Sequence, residues 1–177
     1  TLRAAQLAGT ADAVKFAVTG AGSIVPGAAG AAPAAVNFAV LTSAATGVEK
    51  ITVATSGTNV FSLTAASTGT DGTTLEVTGS GNNTITASGL TNVATYDMST
   101  STGTNTLNVA GALTTSDVVK GGTGADTLRV AQASTAANLS VTGVETLRLS
   151  AGSATGSMIF STAPSFTTVR VDGDTAE

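Results

Sequence analysis

Short stretches of alternating apolar and polar residues recur along the chain at nearly even spacing. The pattern Gly-x-Asn/Asp-x-apolar occurs at residues 57–61, 81–85, 103–107 and 124–128, and its glycines lie 24, 22 and 21 residues apart. Each occurrence runs into an alternating segment that is typical of a half-buried β-strand. A second strand candidate follows in each period, at 74–77, 94–98 and 117–119.

A repeat of about 22 residues that holds two or three short strands has the size of one coil of a parallel β-helix. We therefore predict an all-β fold, a right-handed parallel β-helix or β-roll-like solenoid with coils of about 22 residues. The alternative is a β-sandwich in which Gly-x-Asn is ordinary turn chemistry.

The third residue of the motif is polar in all four occurrences. In a solenoid, Asn59, Asn83, Asn105 and Asp126 fall at the same corner of successive coils, about 4.8 Å apart. Aligned side-chain amides can then form hydrogen bonds along the stack. The sequence thus predicts a polar ladder if the fold is a solenoid, and only separate turns if it is a sandwich.

Two longer segments recur in the same order. Residues 1–6 return as 127–132, and residues 46–53 return as 142–149, with about 30 additional residues between the first pair. The Ala, Gly and Pro stretch at 20–33 is the predicted loop insertion. We expect residues 1–177 to form one solenoid domain and to be a fragment of a longer chain.

The second repeat contains Gly-Val-Glu at both sites. Glu49 and Glu145 precede strand candidates, and their recurrence predicts a shared structural task. Two tasks remain open, namely capping a turn and joining a calcium shell.

Composition supports a thin interior. Apolar residues make up 42% of the chain but aromatic residues only 3%, so the core consists of small and β-branched side chains.

The net charge is −4 and the seven basic residues are scattered, which argues against nucleic-acid binding. No run of 18 apolar residues occurs, so we expect no transmembrane segment, and no signal peptide is visible.

The absence of His and Cys removes the usual zinc ligands, the usual general base and the thiol nucleophile. We therefore predict no catalytic residues and no enzyme activity. A β-helix enzyme that degrades polysaccharides would need clustered acids and aromatic platforms, and Tyr96 with Asp97 is a poor basis for such a site.

One motif carries metal chemistry. Residues 121–129, Gly-Gly-Thr-Gly-Ala-Asp-Thr-Leu-Arg, match the nonapeptide Gly-Gly-x-Gly-x-Asp-x-apolar-x of RTX β-rolls, in which oxygen ligands at the turn bind Ca²⁺. The candidate calcium ligands, including the additions from other coils, are Gly122, Gly124, Asp126, Asp117, Asp71 and Asn105. The alternative is a corner turn without metal.

The nonapeptide, followed by Gly-Val-Glu-Thr-Leu-Arg-Leu at 143–149, resembles the RTX-type S-layer proteins of Gram-negative bacteria. The resemblance implies calcium-dependent folding, export by a type I secretion system, self-association into a cell-surface lattice, and attachment to lipopolysaccharide through other regions. An RTX adhesin, or the calcium-binding tail of a secreted hydrolase, is the alternative.

Overall fold

The computed structural model describes residues 13–18, 36–37, 50–63, 73–87, 94–109, 113, 115–131, 136–150 and 157–172. These ranges contain fourteen β-strands and no helix. The first seven strands are β1 Ala13–Val18, β2 Val36–Asn37, β3 Lys50–Thr55, β4 Thr58–Leu63, β5 Thr73–Gly79, β6 Asn82–Ala87 and β7 Ala94–Asp97. The others are β8 Asn105–Asn108, β9 Val118–Lys120, β10 Thr127–Ala131, β11 Ala136–Thr142, β12 Thr146–Ser150, β13 Met158–Phe160 and β14 Thr168–Val171.

The strands form two parallel sheets of seven strands each. Odd-numbered strands make one sheet in the order β1 to β13, and even-numbered strands make the other in the order β2 to β14. Each coil therefore contributes one strand to each sheet before the chain advances to the next coil. This arrangement is a β-solenoid, so the predicted fold is confirmed and the sandwich alternative is wrong.

Strands of successive coils pair in register, so residues of the same type lie directly above one another. Phe61 aligns with Ile85, Ile85 with Leu107, and the same column continues through Leu128 and Leu147. All five side chains are buried. Because side chains alternate across a strand, every second residue of a coil enters the interior, where the two sheets pack apolar columns against each other.

The turns between the sheets approach one another closely. A Cβ at Gly103 would overlap the carbonyl oxygen of Gly81, and a Cβ at Gly124 would overlap that of Gly103. The repeated glycine is therefore required by the contact between successive coils, since any side chain there would push the coils apart.

The outer face carries ion pairs between residues of different coils. Lys50 lies 3.1 Å from Glu76, and Lys120 lies 3.2 Å from Asp97. These side chains are partly exposed, so each pair contributes at most about 1 kcal/mol. The interior, rather than the surface charge, holds the stack together.

Three predicted features lie outside the described residues: the insertion at 20–33, Asp71 and Glu49. Within the described part of the chain, no helix is long and apolar enough to cross a membrane.

Candidate functional site

The interior corner of the even-numbered sheet contains a row of hydrogen-bonded polar side chains. Asn59 Nδ2 donates to Asn83 Oδ1 at 3.0 Å, and Asn83 Nδ2 donates to Asn105 Oδ1 at 2.7 Å. Asn105 Nδ2 then donates to Asp126 Oδ1 at 2.9 Å. All four residues are buried. We call these four residues the polar ladder.

The glycine of each motif completes the asparagine bonding. Asn83 Nδ2 also donates to the Gly81 carbonyl at 2.8 Å, and Asn105 Nδ2 donates to the Gly103 carbonyl at 3.0 Å. Each amide thus ties its own turn to the next coil. The Gly-x-Asn spacing follows from this geometry, because the carbonyl that accepts the bond lies two residues before the amide.

Asp126 ends the donor chain as a pure acceptor. Its Oδ1 accepts from the Asn105 backbone N–H at 2.7 Å as well as from the Asn105 amide. Its Oδ2 accepts from the Gly122 N–H at 2.5 Å. An asparagine in this orientation would direct its NH₂ group at the Gly122 N–H, so the nonapeptide turn favours a carboxylate here.

Two opposing effects act on the Asp126 carboxyl. Burial raises its pKa, while the N–H donors of Gly122 and Asn105 lower it, and the charge of Glu145 raises it further. The net effect is a raised pKa.

Glu145 occupies the next position of the same column. Its Oε2 accepts a hydrogen bond from the Asp126 backbone N–H at 2.7 Å, which is the contact of a turn cap. The preceding Val144 is buried, and the Ser165 hydroxyl bonds to both its N–H and its carbonyl. The Gly-Val-Glu segment therefore caps the Asp126 turn, with the apolar Val144 buried and the Glu145 carboxylate bonded to the Asp126 N–H.

Asp117 lies apart from this corner. It is buried and immediately precedes β9, whereas the nonapeptide turn follows β9. Its charge acts on the buried Tyr96, whose pKa is raised first by burial and then by Asp117. The structure therefore does not place Asp117 at the turn that holds Asp126.

Two side-chain contacts of the turns were missed by sequence reasoning. Ser101 Oγ accepts from Asn105 Nδ2 at 3.2 Å, and Ser165 bonds to Val144 as described above. Neither serine shares the motif spacing, so the sequence contained no periodic signal for them. At the other end of the ladder, no described residue donates to the buried Asn59 Oδ1.

The oxygen atoms at this turn supply only part of a calcium coordination shell. The turn brings together two carboxylates, those of Asp126 and Glu145. Three backbone N–H groups already donate to them, two to Asp126 and one to Glu145. Among the described residues, no group of three or more Asp, Glu, His or Cys is placed to hold a metal ion. A calcium ion here would need most of its six to eight oxygens from backbone carbonyls and water.

No protein-family model matches the sequence, and no curated protein or solved structure is significantly similar to it.

Proposed function

We propose that this chain is a structural segment of a self-assembling bacterial surface layer of the RTX type, secreted and displayed at the cell surface. The observation that supports this proposal best is the interior. Its polar side chains are bonded to one another along the stack, so they hold successive coils together. Side chains that bond to one another between coils are what a structural protein requires.

Tyr96 and Asp97, the two residues considered for polysaccharide chemistry, are poorly suited to it. Tyr96 is fully buried and cannot serve as a platform for a sugar. Burial raises the pKa of Asp97, but hydrogen bonds from Ser99 and from Lys120 outweigh this and lower it overall. A carboxyl with a lowered pKa and a cationic partner is a poor general acid, so the geometry favours a scaffold over a hydrolase.

Calcium belongs to the proposal as a ligand of the nonapeptide turn. Asp126 and Glu145 lie on successive coils, and the raised pKa of Asp126 reflects burial and the nearby Glu145 charge. A cation shared by the two carboxylates would relieve this repulsion and would stabilise the folded chain, because the pair is assembled only by folding.

Unfolding in millimolar calcium and in chelator tests the calcium part. We expect calcium to raise Tm in the parent protein and to have a much smaller effect on Asp126→Asn, which removes the charge and keeps the size. Asp172→Asn is the control, because that acid pairs with Arg148 on the outer face. Equal Tm values with calcium and with chelator would overturn the calcium part.

Assembly is tested separately by light scattering and electron microscopy of the purified chain. The proposal expects ordered assemblies that grow with protein concentration. A chain that stays monomeric at millimolar calcium and high protein concentration would contradict the lattice function. Calcium binding and assembly can therefore fail independently.

A further inference from the structure

Three arginines are stacked on the outer face of the even-numbered sheet. β10, β12 and β14 each begin Thr-apolar-Arg-apolar, and the pairing aligns Arg129 with Arg148 and Arg148 with Arg170. Leu128 and Val130 on either side of Arg129 are buried, so alternation along the strand directs the arginine outward. We call Arg129, Arg148 and Arg170 the arginine column.

A column of hydroxyl groups runs beside the arginine column, two residues earlier in each strand and therefore about 7 Å away. We call it the threonine column, and its members pair in register: Thr84, Thr106, Thr127, Thr146 and Thr168. This face thus presents cationic groups and hydroxyl groups in parallel, each repeated at the strand spacing of about 4.8 Å.

Folding alone does not favour three arginines in register, because like charges directly opposite one another on neighbouring strands are destabilising. The other sheet shows the opposite arrangement, since Lys50 and Lys120 each pair with an acid. Among the described residues, the three arginines face one paired carboxylate, that of Asp172 on Arg148. The arginine column therefore retains positive charge that an external anion can neutralise.

Asp172 shows how a carboxylate lies on this face. Its Oδ2 contacts Nε and Nη2 of Arg148, both at 3.0 Å. These contacts lower the pKa of Asp172, and the charges of Arg129 and Arg170 lower it further. The arginine column thus favours a carboxylate in its ionised form.

We propose that this face binds a linear acidic polysaccharide, with sugar carboxylates on the arginine column and sugar hydroxyls on the threonine column. Guanidinium groups bind carboxylates in a fixed planar geometry. A sugar residue in an extended chain is about as long as one strand spacing, about 4.8 Å, so a chain that lies across the strands meets successive arginines. This binding goes beyond the proposed layer function and requires neither calcium nor assembly.

Phosphate polymers are the other linear polyanions, and this face suits them less. The outward-facing residues of β10, β12 and β14 are Thr, Arg, Ala and Ser, so these strands offer no aromatic ring on which a nucleic-acid base could stack. Inorganic polyphosphate has no hydroxyl groups along its chain to bond with the threonine column. The net charge of −4 also opposes the approach of a densely charged polymer.

Titration calorimetry with an oligogalacturonate hexamer at low salt tests the proposal. Arg129→Gln with Arg170→Gln should raise Kd about three- to twenty-fold, since two exposed charge pairs are lost. Lys50→Gln with Lys120→Gln is the matched control, because it removes the same charge from the other sheet and should change Kd by less than about two-fold. Equal losses in the two double variants would overturn the proposal, since binding would then depend on net charge alone.

Two further variants change the arginine column without removing its charge. Asp172→Asn frees Arg148 from its partner and removes a negative charge beside the ligand, so it should lower Kd about two- to five-fold. Arg148→Lys should raise Kd, because an ammonium group does not hold a carboxylate in two parallel bonds. Weaker binding by Asp172→Asn would show that the ligand lies elsewhere.

The choice of ligand tests the chemical class. Thr146→Val removes one hydroxyl and keeps the side-chain shape, so it should weaken the binding of oligogalacturonate and leave that of polyphosphate unchanged. The fully methyl-esterified hexamer, which is uncharged, should not bind. Tighter binding of polyphosphate or single-stranded DNA than of oligogalacturonate would contradict a polysaccharide ligand. No measurable binding of oligogalacturonate to the folded parent chain would overturn the proposal.

Discussion

Each ladder asparagine uses both of its amide protons, one within its own turn and one toward the next coil. This economy matters because an unpaired buried polar group costs about 1–3 kcal/mol. The bonds all run in one direction, so the ladder needs a terminal acceptor that gives no proton back. Asp126 meets this requirement, which explains why the acid stands in the motif that closes the row.

Asn83 lies in the middle of the polar ladder, with an asparagine hydrogen-bonded to it on either side. In Asn83→Ala, Asn59 Nδ2 loses its acceptor on the next coil and Asn105 Oδ1 loses the Asn83 amide donor, both in the interior. We expect the free energy of unfolding to fall by about 2–4 kcal/mol. The neighbouring Asn82→Ala removes one exposed bond to the Thr104 N–H and should cost less than half as much. Equal losses in urea denaturation would show that the ladder adds nothing.

The pH dependence of stability reports on Asp126. Its folded pKa is raised, so the proton-linked stability that it contributes is complete below the unfolded pKa, about 3.9, and is lost as pH rises through the folded pKa. The free energy of unfolding of the parent minus that of Asp126→Asn should therefore decrease from about pH 4 upward. Urea denaturation at a series of pH values measures this difference.

Asp97 provides a control with the opposite sign. Burial raises its pKa, but the hydrogen bonds from Ser99 and Lys120 outweigh burial and leave the pKa lowered. The stability that Asp97 contributes is therefore present above its unfolded pKa and is lost as pH falls through the folded pKa. The difference between the parent and Asp97→Asn should rise with pH. A rising difference for Asp126→Asn as well would show that its N–H donors outweigh its burial.

At the scale of the element, the turn glycine sets the distance between coils. Gly103→Ala would place a methyl group against the backbone of Gly81, which cannot move without breaking the strand pairing beside it. We expect a loss of about 2–4 kcal/mol, typical of forced overpacking at a rigid contact. Thr102→Ala, at the exposed neighbouring position, should change stability by less than about 0.5 kcal/mol. Thermal unfolding of the two variants makes the comparison.

The strands that follow a Gly-x-Asn/Asp motif were predictable, because a fixed period and strict alternation specify both their place and their inward face. The partner strands β5, β7 and β9 were also predictable from alternation. The sequence did not reveal that the Thr-apolar-Arg-apolar segment of β14 aligns with those of β10 and β12. Such register depends on pairing between coils about 20 residues apart, which a single strand does not specify.

The polar ladder was predictable from the sequence, but the contacts of the individual turns were not. The polar ladder follows from the period alone once the coils are stacked. The roles of Ser101, Val144 and Ser165 depend on how individual turns close, and these turns have no common spacing. The nonapeptide motif alone does not determine whether Asp126 binds a metal ion. In this structure its carboxylate accepts hydrogen bonds from N–H groups of its own turn and of the preceding coil.

At the scale of the molecule, the hydrogen bonds and apolar contacts join each coil chiefly to its immediate neighbours. Stability in such a stack is roughly a sum of similar coil and interface contributions. The columns of interior side chains continue along the stack as long as each coil pairs with the next in the same register.

Excising one coil tests this description of the whole molecule. Deleting residues 84–105 joins Asn83 to Thr106, and since Asn83 pairs with Asn105, the 22-residue deletion preserves the phase and the ladder. We expect the shortened chain to fold, with a smaller urea m-value because less surface is buried. Deleting residues 84–104 instead shifts the next strand by one residue and turns Leu107 outward. That chain should lose cooperative unfolding, and equal behaviour of the two deletions would contradict a phase-locked stack.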